Sequence, residues 1–263
     1  MSRCCCTTAN WASNRIFNTK MKAFILAAGL GTRLRPLTDR MPKALVPVGG
    51  VPLLEQLFIR LKDAGYDEVV VNVHHFADMI EDFLRQKENF GLKVAISDER
   101  DLLRETGGAI RHAAPLLECP EGRFLVHNVD ILTDLDLQWF ESRAAEGKEV
   151  LATLLVTDRE TSRYLLFDDA MRLVGWTNVK TGEVRSPYPG LDPAKYRRLA
   201  FSGIHSVSTS ILPLMASWPE KFSIIDFYLS VCGNSVIRGV EGHGVSIYDA
   251  GTKIDISTEA RTR

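Results

Sequence analysis

The residues of this chain best spaced for chemistry lie together in Lys22–Leu45, KAFILAAGLGTRLRPLTDRMPKAL. An apolar run, Ala23 to Ala28, has the length expected of a buried parallel strand. It leads straight into Gly29-Leu30-Gly31, then Thr32, Arg33 and Arg35, and further on Pro42-Lys43. A strand entering such a turn brings backbone N–H groups close to phosphate oxygens. The guanidinium groups and the ammonium add fixed positive charge where those oxygens would lie. Two familiar phosphate loops are excluded. Neither glycine leads to Gly-Lys-Ser/Thr at the Walker spacing, and Arg33 and Leu34 stand where a dinucleotide fingerprint needs its third glycine. A bare Gly-x-Gly after a strand reads equally as a structural turn.

Carboxylates recur at comparable positions. Asp130 follows the apolar run Phe124–His127 in the context Asn128-Val129-Asp130, and Asp249 follows Val245–Tyr248 in Asp249-Ala-Gly-Thr252. Ligands of open α/β sheets collect at the carboxyl edge, so Asp130 is expected to face the same crevice as the Gly29 loop. Either aspartate could instead cap a helix or close an Asx turn. Glu105-Thr-Gly-Gly108 reads either as a segment approaching a ligand or as a helix start capped by Thr106. His74 and His75 are adjacent on a strand and point to opposite faces, so they read as structural or exposed. His127 reads as a strand-end residue.

The elements that must hold these residues alternate. Leu53, Leu54, Leu57, Phe58 and Leu61 repeat at helical spacing after Pro52, with Gly65 as a stop, and Val69–Val73 follows as a strand. Phe76, Ile80, Phe83 and Leu84 predict a helix, Leu92–Ile96 a strand, and Ile110–Leu117 a short helix. Leu135–Ala145 predicts a helix and Val150–Val156 another strand. This βαβ rhythm predicts an α/β fold, a Rossmann-like, mostly parallel sheet with helices on both faces. From Thr157 to about Lys195 short β-prone pieces predict a small sheet excursion over one side of the crevice, not a separate domain. Phe201–His205 returns to the core, and helices are expected near 209–217 and 223–232.

The whole pattern Gly-x-Gly-Thr-Arg-x-Arg-Pro-Leu-Thr with Pro-Lys-x-Leu resembles the signature of the sugar-1-phosphate nucleotidyltransferases. The resemblance covers Met21 to Thr252. It implies that an NTP and a sugar 1-phosphate are converted to an NDP-sugar and pyrophosphate. By this resemblance Arg33 and Lys43 are catalytic. Ala28, Gly29, Gly31, Thr32, Glu105, Gly107 and Gly108 join them in nucleotide binding. Asn72, Asn128 and Gly203 meet the sugar phosphate, and Asp130 and Asp249 hold Mg²⁺. Val129 replaces a glycine usual before the first metal aspartate, and the Glu-Lys-Pro whose lysine meets the sugar phosphate in many relatives is absent. The Glu-Thr-Gly-Gly and Phe-Ser-Gly-Ile segments resemble most the uridylyltransferases of N-acetylmuramate 1-phosphate. Mannose- or heptose-1-phosphate guanylyltransferases are the alternative, followed by a non-catalytic relative that senses nucleotide sugars.

Composition sets the bounds. The 263 residues are 45% hydrophobic and 25% charged, enough for a substantial core in a single domain over residues 21–263. A net charge of −1 argues against a general nucleic-acid or membrane-surface partner. Residues 1–20 are mostly polar, lack the apolar core of a signal peptide and, with Cys4-Cys5-Cys6 among them, are expected to form a disordered extension. Five cysteines without paired or zinc-ligand spacing predict a reduced, cytoplasmic setting.

Overall fold

The apolar run of the signature forms β1 (Met21–Leu26), whose side chains alternate between two cores. Ala23 and Ile25 pack with Leu57, Phe58 and Ile80, whereas Phe24 packs with Ile110, Phe124 and Phe227. A strand buried on both faces needs apolar residues at consecutive positions, which is why the run shows no polar alternation. In the computed structural model, residues 20–251 are described apart from 120, 121 and 148. The expectations for residues 1–19 and for Thr252 lie outside the described residues.

Parallel neighbours flank β1: β2 (Tyr66–Val73), with β3 (Lys93–Asp98) beyond it, and β4 (Arg123–Asn128) on the other side. Crossover helices α1 (Leu53–Asp63), α2 (Ala77–Gln86) and α3 (Glu105–His112) connect them. After β4 come a short β5 (Ile131–Thr133), α4 (Leu137–Ala144) and β6 (Val150–Thr157). The predicted helix Leu135–Ala145 starts later than expected because Asp136 caps it, accepting a 3.0 Å hydrogen bond from Trp139 N.

The expected excursion is an antiparallel set, β7 (Arg163–Phe167), β8 (Leu173–Asn178) and β9 (Glu183–Arg185). It grows from the amino-terminal half of the long β10 (Arg197–Ser208), where Arg197–Leu199 pair with β7. The carboxyl-terminal half of β10 lies antiparallel between β4 and β6. Trp176 and Arg185 anchor the excursion on α5 (Ile224–Val231): Arg185 pairs with Asp226 at 2.6 Å and its guanidinium lies 4.1 Å from the Trp176 ring.

Two strands differ from expectation. Val236–Glu241 forms β11, parallel to β6, and its interrupted apolar pattern (Val-Ile-Arg-Gly-Val-Glu) gave no periodic signal. Among the described residues the last strand is β12 (Ile247–Asp249), shorter than Val245–Tyr248 predicts and shifted, and the partner it pairs with there is the three-residue β5. The main sheet has ten strands among the described residues, and β12 with β5 forms a ribbon apart from it.

His127 on β4 and His205 on β10 are each 1% exposed. Nδ1 of His205 lies 2.6 Å from the Tyr228 hydroxyl. Burial drives His127 down to about 4 and His205 to about 3, so both rings are neutral in the native state. In the unfolded chain they would protonate near about pH 6.5. Between these values the unfolded chain binds more protons, so this contribution to stability is full above about pH 6.5 and is lost as the pH falls toward about 4 for His127 and about 3 for His205. Burial raises Glu141, whose contribution bends the curve the other way, so a difference measurement isolates the ring. Urea denaturation at about pH 7 and about pH 5 should show wild type losing more stability than His205→Gln, by on the order of 2 kcal/mol.

Candidate functional site

The loop after β1 folds back on itself because of Gly31. This residue is left-handed (φ 61°), and a Cβ there would lie 2.7 Å from Thr38 Cγ2 and 3.1 Å from Lys43 Cβ. The Thr38 hydroxyl donates to Gly31 O at 2.8 Å and closes the fold-back. Lys43 is thereby returned to the carboxyl edge of the sheet, with 8% of its surface exposed. A buried ammonium requires a counter-charge. Lys43 Nζ pairs with Asp130 Oδ2, at the end of β4.

Asp249 reaches the same place by a different route. The pairing of β12 with β5 sets Asp249 opposite Ile131, and Ala250 N donates to Asp130 O at 2.9 Å. Asp249 Oδ1 accepts a 2.7 Å bond from Gly251 N, so the Asx turn is present and aims the carboxylate. A Cβ on Gly251 would lie 2.9 Å from Asp249 Oδ1 and 3.0 Å from Asp130 Oδ2, and would collide with Lys43 Nζ. Lys43, Asp130 and Asp249 therefore converge on one point. Among the described residues no set of three or more His, Cys, Asp or Glu gathers at a metal position. Two carboxylates already neighboured by a cation form a hard-oxygen pair, which suits Mg²⁺ if phosphate oxygens and water complete the shell. Val129, in place of glycine, points into the core and is 4% exposed.

These groups border a cavity of about 240 Å³. Ala28 and Gly29 lie on it, as do Lys43, Asn72, Glu105, Thr106, Asn128 and Asp130. The carboxamide of Asn128 makes no side-chain hydrogen bond among the described residues. No residue of the excursion lines the cavity.

Several expected ligand groups also meet other parts of the chain. Asn72 is 3% exposed, and its Oδ1 accepts from Ala27 N at 2.6 Å and Ala28 N at 3.1 Å. Its oxygen thus holds the loop after β1. Gly107 and Gly108 face away from the cavity: their N–H groups donate to Phe222 O at 2.9 and 3.2 Å, and a Cβ on Gly108 would strike Glu220 O. Their lack of a side chain admits the 220–222 segment. Gly203 gives room to Asn128, whose Nδ2 would lie 2.7 Å from a Cβ at that position. Gly31, Thr32 and Arg33 lie beyond the cavity lining. Arg33 is exposed in a turn and makes no ion pair among the described residues, while Arg35 pins the loop through Asp39 at 3.3 Å.

The pattern did not single out Glu99. It lies in the charged run Asp98-Glu-Arg-Asp101, which reads as a solvated turn, yet it is 0% exposed and borders the cavity. The available signal was its place just past a buried strand, the same signal that marked Asp130.

Similarity to known proteins agrees with this geometry. Residues 22–165 match the Nucleotidyl transferase family model. The chain is 35% identical to N-acetylmuramate alpha-1-phosphate uridylyltransferase of Caulobacter vibrioides over 247 residues, 91% of this chain and 96% of that protein. A protein of the same name from Neisseria meningitidis is 47% identical over 116 residues, 44% of this chain and 49% of that one. The fold resembles UDP-glucose pyrophosphorylase of Acinetobacter baumanii, with a TM-score of 0.71, 19% identity, and coverage of 90% and 91% of the two chains. The chain belongs to the nucleotidyl transferase family, within its sugar-1-phosphate nucleotidyltransferases.

Proposed function

We propose that the chain transfers the uridylyl group of UTP to N-acetylmuramate 1-phosphate or a closely similar sugar phosphate, releasing pyrophosphate in a cytoplasmic setting. The convergence of Lys43, Asp130 and Asp249 at the mouth of the Gly29 cavity carries this reading. The near full-length similarity to the Caulobacter uridylyltransferase supports the choice of base and sugar.

In the reaction, an oxygen of the sugar phosphate forms a bond to the α-phosphorus of UTP. The bond from that phosphorus to the bridging oxygen breaks, and pyrophosphate leaves with the electron pair. A phosphomonoester with its second pKa near about 6 is already largely dianionic at neutral pH. The nucleophile needs no general base, and placement and charge neutralisation dominate. Backbone at Ala28 and Gly29 approaches the nucleotide phosphates, Lys43 neutralises charge developing at the α-phosphate, and Arg33 meets the departing pyrophosphate. Asn128 faces the sugar phosphate. Asp130 and Asp249 would hold Mg²⁺, which when bound neutralises phosphate charge and polarises the reacting phosphorus.

Pyrophosphate release measured across the common NTPs should give UTP the highest kcat/KM. A preference for GTP of about tenfold or more, about 1.4 kcal/mol of transition-state stabilisation, would assign the chain to the guanylyltransferases instead. Asp130→Asn and Asp249→Asn should each lose most of the rate, and excess chelator should abolish it reversibly. The double variant should lose much less than the product of the single losses, because the two act as one unit. Fully multiplicative losses would separate the two carboxylates. Gly251→Ala should lower kcat on the order of 10²-fold with little change in melting temperature, since its methyl displaces the Lys43 ammonium and both carboxylates.

A further inference from the structure

Glu99 stands immediately after β3, where Glu99 N donates to Val73 O at 2.8 Å. Its carbonyl accepts from His74 Nδ1 at 2.6 Å, so the backbone is held on both sides. The side chain is wholly buried and meets N–H donors at both oxygens: Asn72 Nδ2 at 2.9 Å from Oε1 and Arg104 N at 3.2 Å from Oε2. Asn72 in turn accepts from Ala27 N and Ala28 N. One continuous chain of hydrogen bonds therefore runs from the Ala27–Gly29 wall of the cavity, through Asn72 and Glu99, to Arg104. The residues on either side of Arg104, Leu103 and Glu105, form the facing wall.

The polarity of this chain is determined at both ends. Asn72 must turn its oxygen to the two loop amides, which leaves only its NH₂ for Glu99. The Arg104 amide is also a donor. A group between two donors must accept on both sides, and an ionised carboxylate does so where a carboxamide cannot. Arg104 does not supply this function through its charge, because its guanidinium is engaged by Asp101 at 2.6 and 2.8 Å and by Leu102 O.

We propose that Glu99 is a positioning residue for the transfer reaction, its carboxylate setting the separation of the Ala27–Gly29 wall from the Leu103–Thr106 wall. The inference rests on the reading of this cavity as the nucleotidyl-transfer site. Its strength is that the hydrogen-bond polarity can be reversed without changing charge. In Asn72→Asp/Glu99→Gln, the new aspartate accepts from Ala27 N, Ala28 N and the glutamine NH₂, and the glutamine oxygen accepts from Arg104 N. The amides of Ala27, Ala28 and Arg104 again each meet an acceptor.

The test compares wild type, Glu99→Gln and the double variant in two measurements at a temperature well below each melting transition. Amide exchange at Ala27 and Ala28 should accelerate in Glu99→Gln and slow again in the double variant. With UTP and the sugar phosphate, kcat/KM should fall about tenfold or more in Glu99→Gln and recover to within about threefold of wild type in the double variant. Activity of Glu99→Gln within about twofold of wild type would overturn the proposal. So would a double variant that regains slow exchange and melting temperature while its activity stays at the single-variant level. If Glu99→Gln does not fold, Glu99→Asp takes its place, keeping both acceptors but shortening the reach. A loss of about tenfold at unchanged melting temperature then supports the proposal, and a loss within about twofold overturns it. The exchange measurement needs no substrate, so its failure is distinct from a failure of the transfer reading itself.

Discussion

The site depends on the register of β1 with its two parallel neighbours. Leu26 pairs with Asn72 on one side and Asn128 on the other, and Asn72 pairs with Ser97 beyond it. Four strands therefore end at one level, and the chain leaves each of them toward the same crevice. Antiparallel pairing would send alternate connections to opposite edges. A one-residue slip would turn Asn72 to the other face and remove the acceptor that Ala27 N and Ala28 N require. The two buried cores guard against such a slip, since Ala23 and Ile25 would exchange faces with Phe24.

On this frame the charges are placed by need as well as by position. Lys43 is almost buried, and Asp130 offers little side-chain surface to water. Ions withdrawn from water are tolerated when paired, whereas deleting one partner leaves the other exposed to the full desolvation cost. The mixed cluster of one ammonium and two carboxylates has a net negative character, which a triphosphate would worsen. A divalent cation would change the balance from repulsion to bridging, and the same three side chains then serve a single purpose.

The glycines of the signature segments show how the cavity is built indirectly. Gly31 admits Thr38 and Lys43, Gly251 admits the charge cluster, and Gly107 and Gly108 admit the chain at Glu220–Phe222. Each permits an approach of protein to protein. The cavity surface is then made by the segments so assembled, with Glu105 at a positive φ of 60° at its rim.

Much of this was legible in the amino-acid order. The apolar runs of β1, β2, β4 and β6, the helical spacing of Leu53–Leu61, and the Gly-x-Gly-Thr-Arg to Pro-Lys pattern are local properties, and local properties survive in a linear reading. So does the placing of Asp130 at a strand's carboxyl end. Tertiary structure alone decided which partners those residues meet. Burial of Glu99 within a charged run, the commitment of the Asn72 oxygen to Ala27 and Ala28, and the turning of Gly107 and Gly108 toward Phe222 depend on contacts between distant segments. The strand Val236–Glu241 was hidden for the same reason: it is stabilised by pairing with β6, and its own sequence carries little preference. Residue type declares what a group can do. Only the fold determines whether water, a ligand or another part of the chain claims it, because hydrogen-bonding groups removed from water must be satisfied by whatever the packing brings beside them.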